Sequence, residues 1–142
     1  VFVTAGGKNV TPQAVENLIA ADEFVSQVML YGDGRKYLTA LVVPDYERVA
    51  EEASRLDLNG DRPEELARSR RLHDFLMSRI EARTRDLAHF EQVKDIVILE
   101  KPLSMEDGEL TPTLKVRRRL VTKKYADRLD ALYGEDDPPE LR

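Results

Sequence analysis

The stretch "FVSQVMLYGDGRKYLTALVVPD", residues 24–45, constrains the fold more than any other part of the chain. Two segments rich in β-branched and aromatic residues, 24–31 and 37–43, flank Gly32-Asp33-Gly34-Arg35-Lys36. That pattern predicts an antiparallel hairpin closed by a glycine-containing loop. Pro44 cannot donate to a strand ladder and ends the second strand. Asp45 can then cap a helix with Val49, Ala50, Ala53 and Leu56 on one face.

The remaining segments arrange themselves around this hairpin. Val1-Phe2-Val3 reads as the middle of a strand, so the chain is expected to be a fragment of something longer. The strand breaks at Gly6-Gly7. Thr11 and Pro12 open a short amphipathic helix over 12–21, with Pro12 where its missing N–H costs nothing. "NGDRP" interrupts the helix after Asp45, and a longer helix is predicted over 64–87, striped by Leu72, Phe75, Leu76, Ile80 and Leu87. "QVKDIVIL", residues 92–99, reads as another strand. A polar loop follows, and then a last helix over 117–133 with Val121, Tyr125, Leu129 and Leu132 inward. The tail 135–142 reads as frayed. The expected class is α+β: a small mixed β-sheet with a β-hairpin, flanked by helices.

Composition removes several functions. No cysteine is present, so disulfides, thiolate catalysis and cysteine-based metal sites are excluded, and the chain suits a reducing compartment. His73 and His89 are too few and too separated to suggest a metal centre. The formal net charge of -5 argues against a dedicated nucleic-acid binder. The basic run Arg117-Arg118-Arg119 with Lys123-Lys124 has no interleaved aromatics and reads as a solvent-facing helix surface. No apolar run is long enough to span a bilayer, and no signal-peptide pattern opens the chain.

Two loops can carry chemistry. In "GELTPTLKVRRR", residues 108–119, Lys115 ends a Thr-Pro-Thr-Leu run that should not be helical. An amine there can neutralise charge developing on a phosphoryl group. At about 4 Å and an effective dielectric near 20 the attraction is roughly 4 kcal/mol. A surface lysine on a polar turn accounts for the same residues. Gly6-Gly7-Lys8-Asn9 enters a helix N-terminus and can bring backbone N–H groups close to an anion or an extended ligand. It is neither a P-loop nor a dinucleotide fingerprint, and turn geometry explains it equally well.

Taken together, "FVTAGGKNVTPQAVEN" resembles the motif that opens the small C-terminal domain of adenylate-forming enzymes, and "LSMEDGELTPTLKVRRR" resembles the terminal motif of that domain. The ending Leu-Thr-Pro-Thr-Leu-Lys, in place of the commoner Ser-Gly-Lys, is similar to long-chain fatty acyl-CoA synthetases. The resemblance implies that residues 1–134 form the C-terminal lid domain. A large N-terminal adenylation domain in cis would hold the fatty acid, ATP and Mg2+. The activity implied is formation of an acyl-adenylate from fatty acid and ATP, followed by displacement of AMP by CoA. Lys115 would be the catalytic lysine of the adenylation pose. Gly6, Gly7 and Lys8 would line the pantetheine passage in the thioester-forming pose. The hinge residue and the ribose-binding arginine would lie before Val1, so the isolated domain is expected to be inactive. A cytoplasmic enzyme is implied, with peripheral membrane association open. Two alternatives stand: a lid serving a carrier-protein thiol, and a non-catalytic protein-interaction module.

Overall fold

The computed structural model describes residues 1–134, and the tail expected to fray at 135–142 lies outside the described residues. The hairpin forms where its sequence places it, as β3 (Val25–Tyr31) and β4 (Leu38–Pro44), antiparallel with Val28 opposite Val42. The strand at 92–99 becomes β5 (Val93–Ile98) and joins β4 in parallel, with Ala40 opposite Ile96. A parallel neighbour requires a long crossover. The helices between Pro44 and Val93 supply it.

Strand β4 is central in the order β3-β4-β5, and every one of its residues is buried. Alternation along the strands sends successive side chains to opposite faces, which builds two cores. Val28, Leu30, Ala40, Val42, Ile96 and Ile98 pack with Val15 and Ile19 of α1 (Pro12–Ala20) and with Leu72, Leu76 and Ile80 of α4 (Arg70–Arg83). On the other face Met29, Leu41, Val43 and Val97 meet Val121 and Leu129, from α5 (Arg118–Lys124) and α6 (Ala126–Ala131). The result is a small mixed sheet between two helical layers.

Four elements differ from expectation. The first strand, β1 (Phe2–Val3), has a partner the sequence did not announce: β2 (Asn9–Val10) pairs with it antiparallel. Helix α2 (Tyr46–Glu51) stops short of Ala53 and Leu56. The helix expected over 64–87 divides into α3 (Pro63–Leu66) and α4, because the Ser69 hydroxyl accepts the Leu72 N–H at 3.1 Å and starts a new helix. Leu87 therefore lies beyond α4, half-buried against the first core. The last helix divides at Tyr125, which leaves helical backbone geometry at φ -109° and ψ 13°.

Asp22 fastens the turn between α1 and β3 to α4. Its buried carboxylate accepts the Phe24 N–H at 2.9 Å and the Arg79 and Arg83 side chains at 2.8 and 3.0 Å. Burial pushes its pKa up, but the Phe24 amide and the two guanidiniums outweigh that and hold it below the usual carboxylate range. A depressed native pKa stabilises the fold fully above the unfolded value of about 3.9 and ceases to do so as pH falls through the native one. Asp22→Asn should cost about 1.5–3 kcal/mol at pH 7 in denaturant titration. The gap between variant and parent should close as the pH drops below the carboxylate range.

Candidate functional site

Lys115 sits at the foot of a tight hairpin turn rather than on an irregular loop. Leu110 and Val116 form an antiparallel bridge. Inside it the Thr111 N–H donates to the Lys115 carbonyl at 2.8 Å, and the Leu114 N–H donates to the Thr111 carbonyl at 2.8 Å. The Lys115 N–H reaches back to the Thr111 hydroxyl at 3.1 Å. Pro112 pre-sets the first corner, and Leu114 takes the left-handed conformation at φ 64°. That conformation costs a side-chain-bearing residue about 1–2 kcal/mol. Glycine would carry no such cost. Leu114 is 66% exposed, so no packing within the domain repays the strain. The Lys115 side chain is exposed and stands on a backbone fixed by these hydrogen bonds.

The glycine loop repeats the construction. The Thr4 N–H donates to the Lys8 carbonyl at 2.8 Å, and the Gly7 N–H to the Thr4 carbonyl at 2.9 Å. The Lys8 N–H donates to the Thr4 hydroxyl at 3.0 Å, and Gly7 takes φ 82°. Both loops are therefore Thr-x-x-(left-handed)-Lys turns joining short antiparallel pairs. Gly7 is accounted for by its backbone. Gly6 is not: its φ is not positive, and an added Cβ would meet only the Thr4 hydroxyl at 3.9 Å. Nothing inside the domain requires Gly6 to be glycine.

The structure does not merge the two loops into one site. It fastens them to one body. Glu16 of α1, within the first motif, and Arg118 of α5, within the second, pair bidentately at 2.7 and 2.8 Å. Glu16 also accepts the Leu30 N–H at 2.6 Å, and Arg118 donates to the Leu30 carbonyl at 3.2 Å. The pair thus caps the edge of β3. Below the lysine turn, buried Glu109 accepts the Ser104 N–H at 3.1 Å and the Lys124 ammonium at 2.9 Å. The bond to Glu109 raises the Lys124 pKa. A groove of about 300 Å3 lies beside Lys115, lined among others by Glu16, Val28, Leu114, Val116 and Arg118.

Sequence reading singled out neither Glu16 nor Glu109. It placed Arg118 on a solvent-facing surface, whereas Arg118 turns inward to Glu16 while Arg117 and Arg119 stay exposed. The available signal was a carboxylate in one motif and a guanidinium in the other, with nothing local to connect them. His73 bridges α4 to β5 through Asp95 at 2.7 Å. Among the described residues no group of three or more His, Cys, Asp or Glu is arranged to hold a metal, and no helix is long and apolar enough to cross a membrane.

The model for the C-terminal domain of AMP-binding enzymes matches residues 1–137. The chain belongs to this family. It is 31% identical over 137 residues to the long-chain-fatty-acid–CoA ligase FadD15 of Mycobacterium tuberculosis, covering 96% of this chain and 23% of that protein. It is 32% identical over 137 residues to human long-chain-fatty-acid–CoA ligase 1, covering 94% of this chain and 20% of that one. The chain thus spans less than a quarter of these relatives. Among solved structures, the A domain of carboxylic acid reductase from Segniliparus rugosus, in complex with AMP and a co-purified carboxylic acid, superposes with a TM-score of 0.77 at 26% identity. That match covers 94% of this chain and 19% of the other. The adenylation domain of the Mycobacterium chelonae carboxylate reductase gives 0.79 at 25%, covering 95% and 19%. The α+β architecture read from sequence is that of the C-terminal domain of adenylate-forming enzymes.

Proposed function

We propose that residues 1–134 are the C-terminal lid of a long-chain fatty acid–CoA ligase, working with a large N-terminal domain in cis. The observation that carries the reading is the lysine turn: an exposed amine on a hydrogen-bonded hairpin, in a chain similar over nearly its whole length to long-chain-fatty-acid–CoA ligases. The turn fixes the backbone before binding, so delivering the amine orders only its side chain. In one pose Lys115 offsets charge at the α-phosphate and the fatty-acid carboxylate while the acyl-adenylate forms. In the other pose the body turns and the Gly6-Gly7 loop, with Lys8 beside it, lines the passage for the pantetheine thiol. The freedom of Gly6 from any internal demand supports this, because a side chain there would project into whatever lies outside the domain. ATP and Mg2+ are assigned on this reading mainly to the N-terminal domain. The lid alone is inactive.

The test is a coupled assay. The full-length protein given a long-chain fatty acid, ATP and Mg2+ should release pyrophosphate, and adding CoA should yield acyl-CoA and AMP. The 142-residue chain alone should do neither. Pyrophosphate release without acyl-CoA, but with acylation of a carrier-protein thiol, would reassign the acceptor. Absence of pyrophosphate release from the full-length protein would remove the reading.

A further inference from the structure

The glycine loop hangs on the β3-β4 hairpin. The Ala5 N–H donates to the Arg35 carbonyl at 3.0 Å, and the Gly34 N–H donates to the Val3 carbonyl at 2.8 Å. The Val3 N–H donates to the Asp33 carboxylate at 2.9 Å. The turn at Thr4–Lys8 therefore sits where residues 33–35 hold it. Those residues are held in turn by the other end of the chain. The Arg35 guanidinium contacts the Asp130 carboxylate at 2.6 Å and lies over the Tyr133 ring at 4.4 Å and the Tyr31 ring at 5.9 Å. Asp130 also accepts the Tyr31 hydroxyl. Tyr133 is fully buried, stacks on Tyr37 at 4.6 Å, and donates its hydroxyl to the Tyr37 carbonyl at 3.0 Å.

We infer that Arg35 is a positioning residue for the glycine loop: its side chain clamps onto Asp130 and Tyr133 of the C-terminal segment, and its backbone carbonyl carries Ala5. This inference rests on the channel role proposed above. A planar guanidinium suits the place, since one group meets a carboxylate and stacks on an aromatic face together. The loop itself has no buried side chain after Thr4 to anchor it. Its placement is therefore borrowed from the hairpin. Displacing it by about 1 Å would be enough to misalign a thiol and slow its attack by up to about a hundredfold.

Arg35→Ala, Arg35→Lys and Asp130→Asn, made in the full-length protein, test this with two readouts. Amide hydrogen exchange at Ala5 and Gly7 should quicken about tenfold in Arg35→Ala, and less in Asp130→Asn, which keeps the guanidinium over the rings, and in Arg35→Lys, which keeps the charge. The thioester step, started from preformed acyl-adenylate, should slow about ten- to a hundredfold in Arg35→Ala, with a raised KM for CoA. Pyrophosphate exchange should stay within about twofold, since Lys115 is on another loop. Asp130→Asn keeps the shape and covers the case in which Arg35→Ala fails to fold. Gly6→Leu is the control. If it blocks the thioester step while amide hydrogen-exchange and thioester rates are unchanged in both Arg35→Ala and Asp130→Asn, the inference is overturned and the channel stands. If Gly6→Leu is itself without effect, the channel reading falls, and the amide hydrogen-exchange rates alone decide whether Arg35 anchors the loop.

Discussion

Lys115→Ala in the full-length protein should lower fatty-acid-dependent pyrophosphate release by about three powers of ten. The figure follows from roughly 4 kcal/mol of attraction between unit charges about 4 Å apart at an effective dielectric near 20, present only while charge develops. The structure makes the experiment clean. The side chain is exposed and its backbone N–H is held by Thr111, so truncation leaves the turn intact. Thermal melting should not move. The thioester step from preformed acyl-adenylate should remain within about threefold of the parent, because that pose has no use for the amine. Equal loss in both half-reactions would mean that the side chain supports the fold or the domain interface, and the assigned role would fail.

Gly6→Leu should show the reverse pattern. Adenylation should hold within about twofold while attack by CoA falls by a hundredfold or more, as a side chain fills a narrow passage and misplaces the thiol. Gly6 is a better probe than Gly7. An added side chain at Gly7 would strain a backbone at φ 82°, by about 1–2 kcal/mol. At Gly6 the backbone tolerates any residue and the nearest atom is 3.9 Å from the added carbon. A CoA half-reaction that runs at the parent rate in Gly6→Leu would place the pantetheine elsewhere.

What the sequence discloses and what it conceals follow the range of the interactions. The hairpin, helix α1 and β5 are legible because alternation, a proline at the first helical position and turn glycines act locally. The break at Ser69 was also written locally, but a strong apolar stripe from Leu72 to Ile80 masked it. The break at Tyr125 was not: its hydroxyl donates to the Glu109 carboxylate at 3.4 Å, across sixteen residues. Lys115 and the glycines stood out through their neighbours in sequence. Glu16 and Arg118, separated by 102 residues, could not, since no spacing rule connects a helix carboxylate to an arginine in a basic run. The same holds for Arg35 and Asp130, 95 residues apart.

The bidentate joint between Glu16 and Arg118 ties the two ends of the fold together, because each partner belongs to a different motif and both grip Leu30 on the edge of β3. On the two-pose reading proposed above, this joint is where the helices behind the amine and the glycines are coupled, and a swing of the domain would carry both loops as parts of one body.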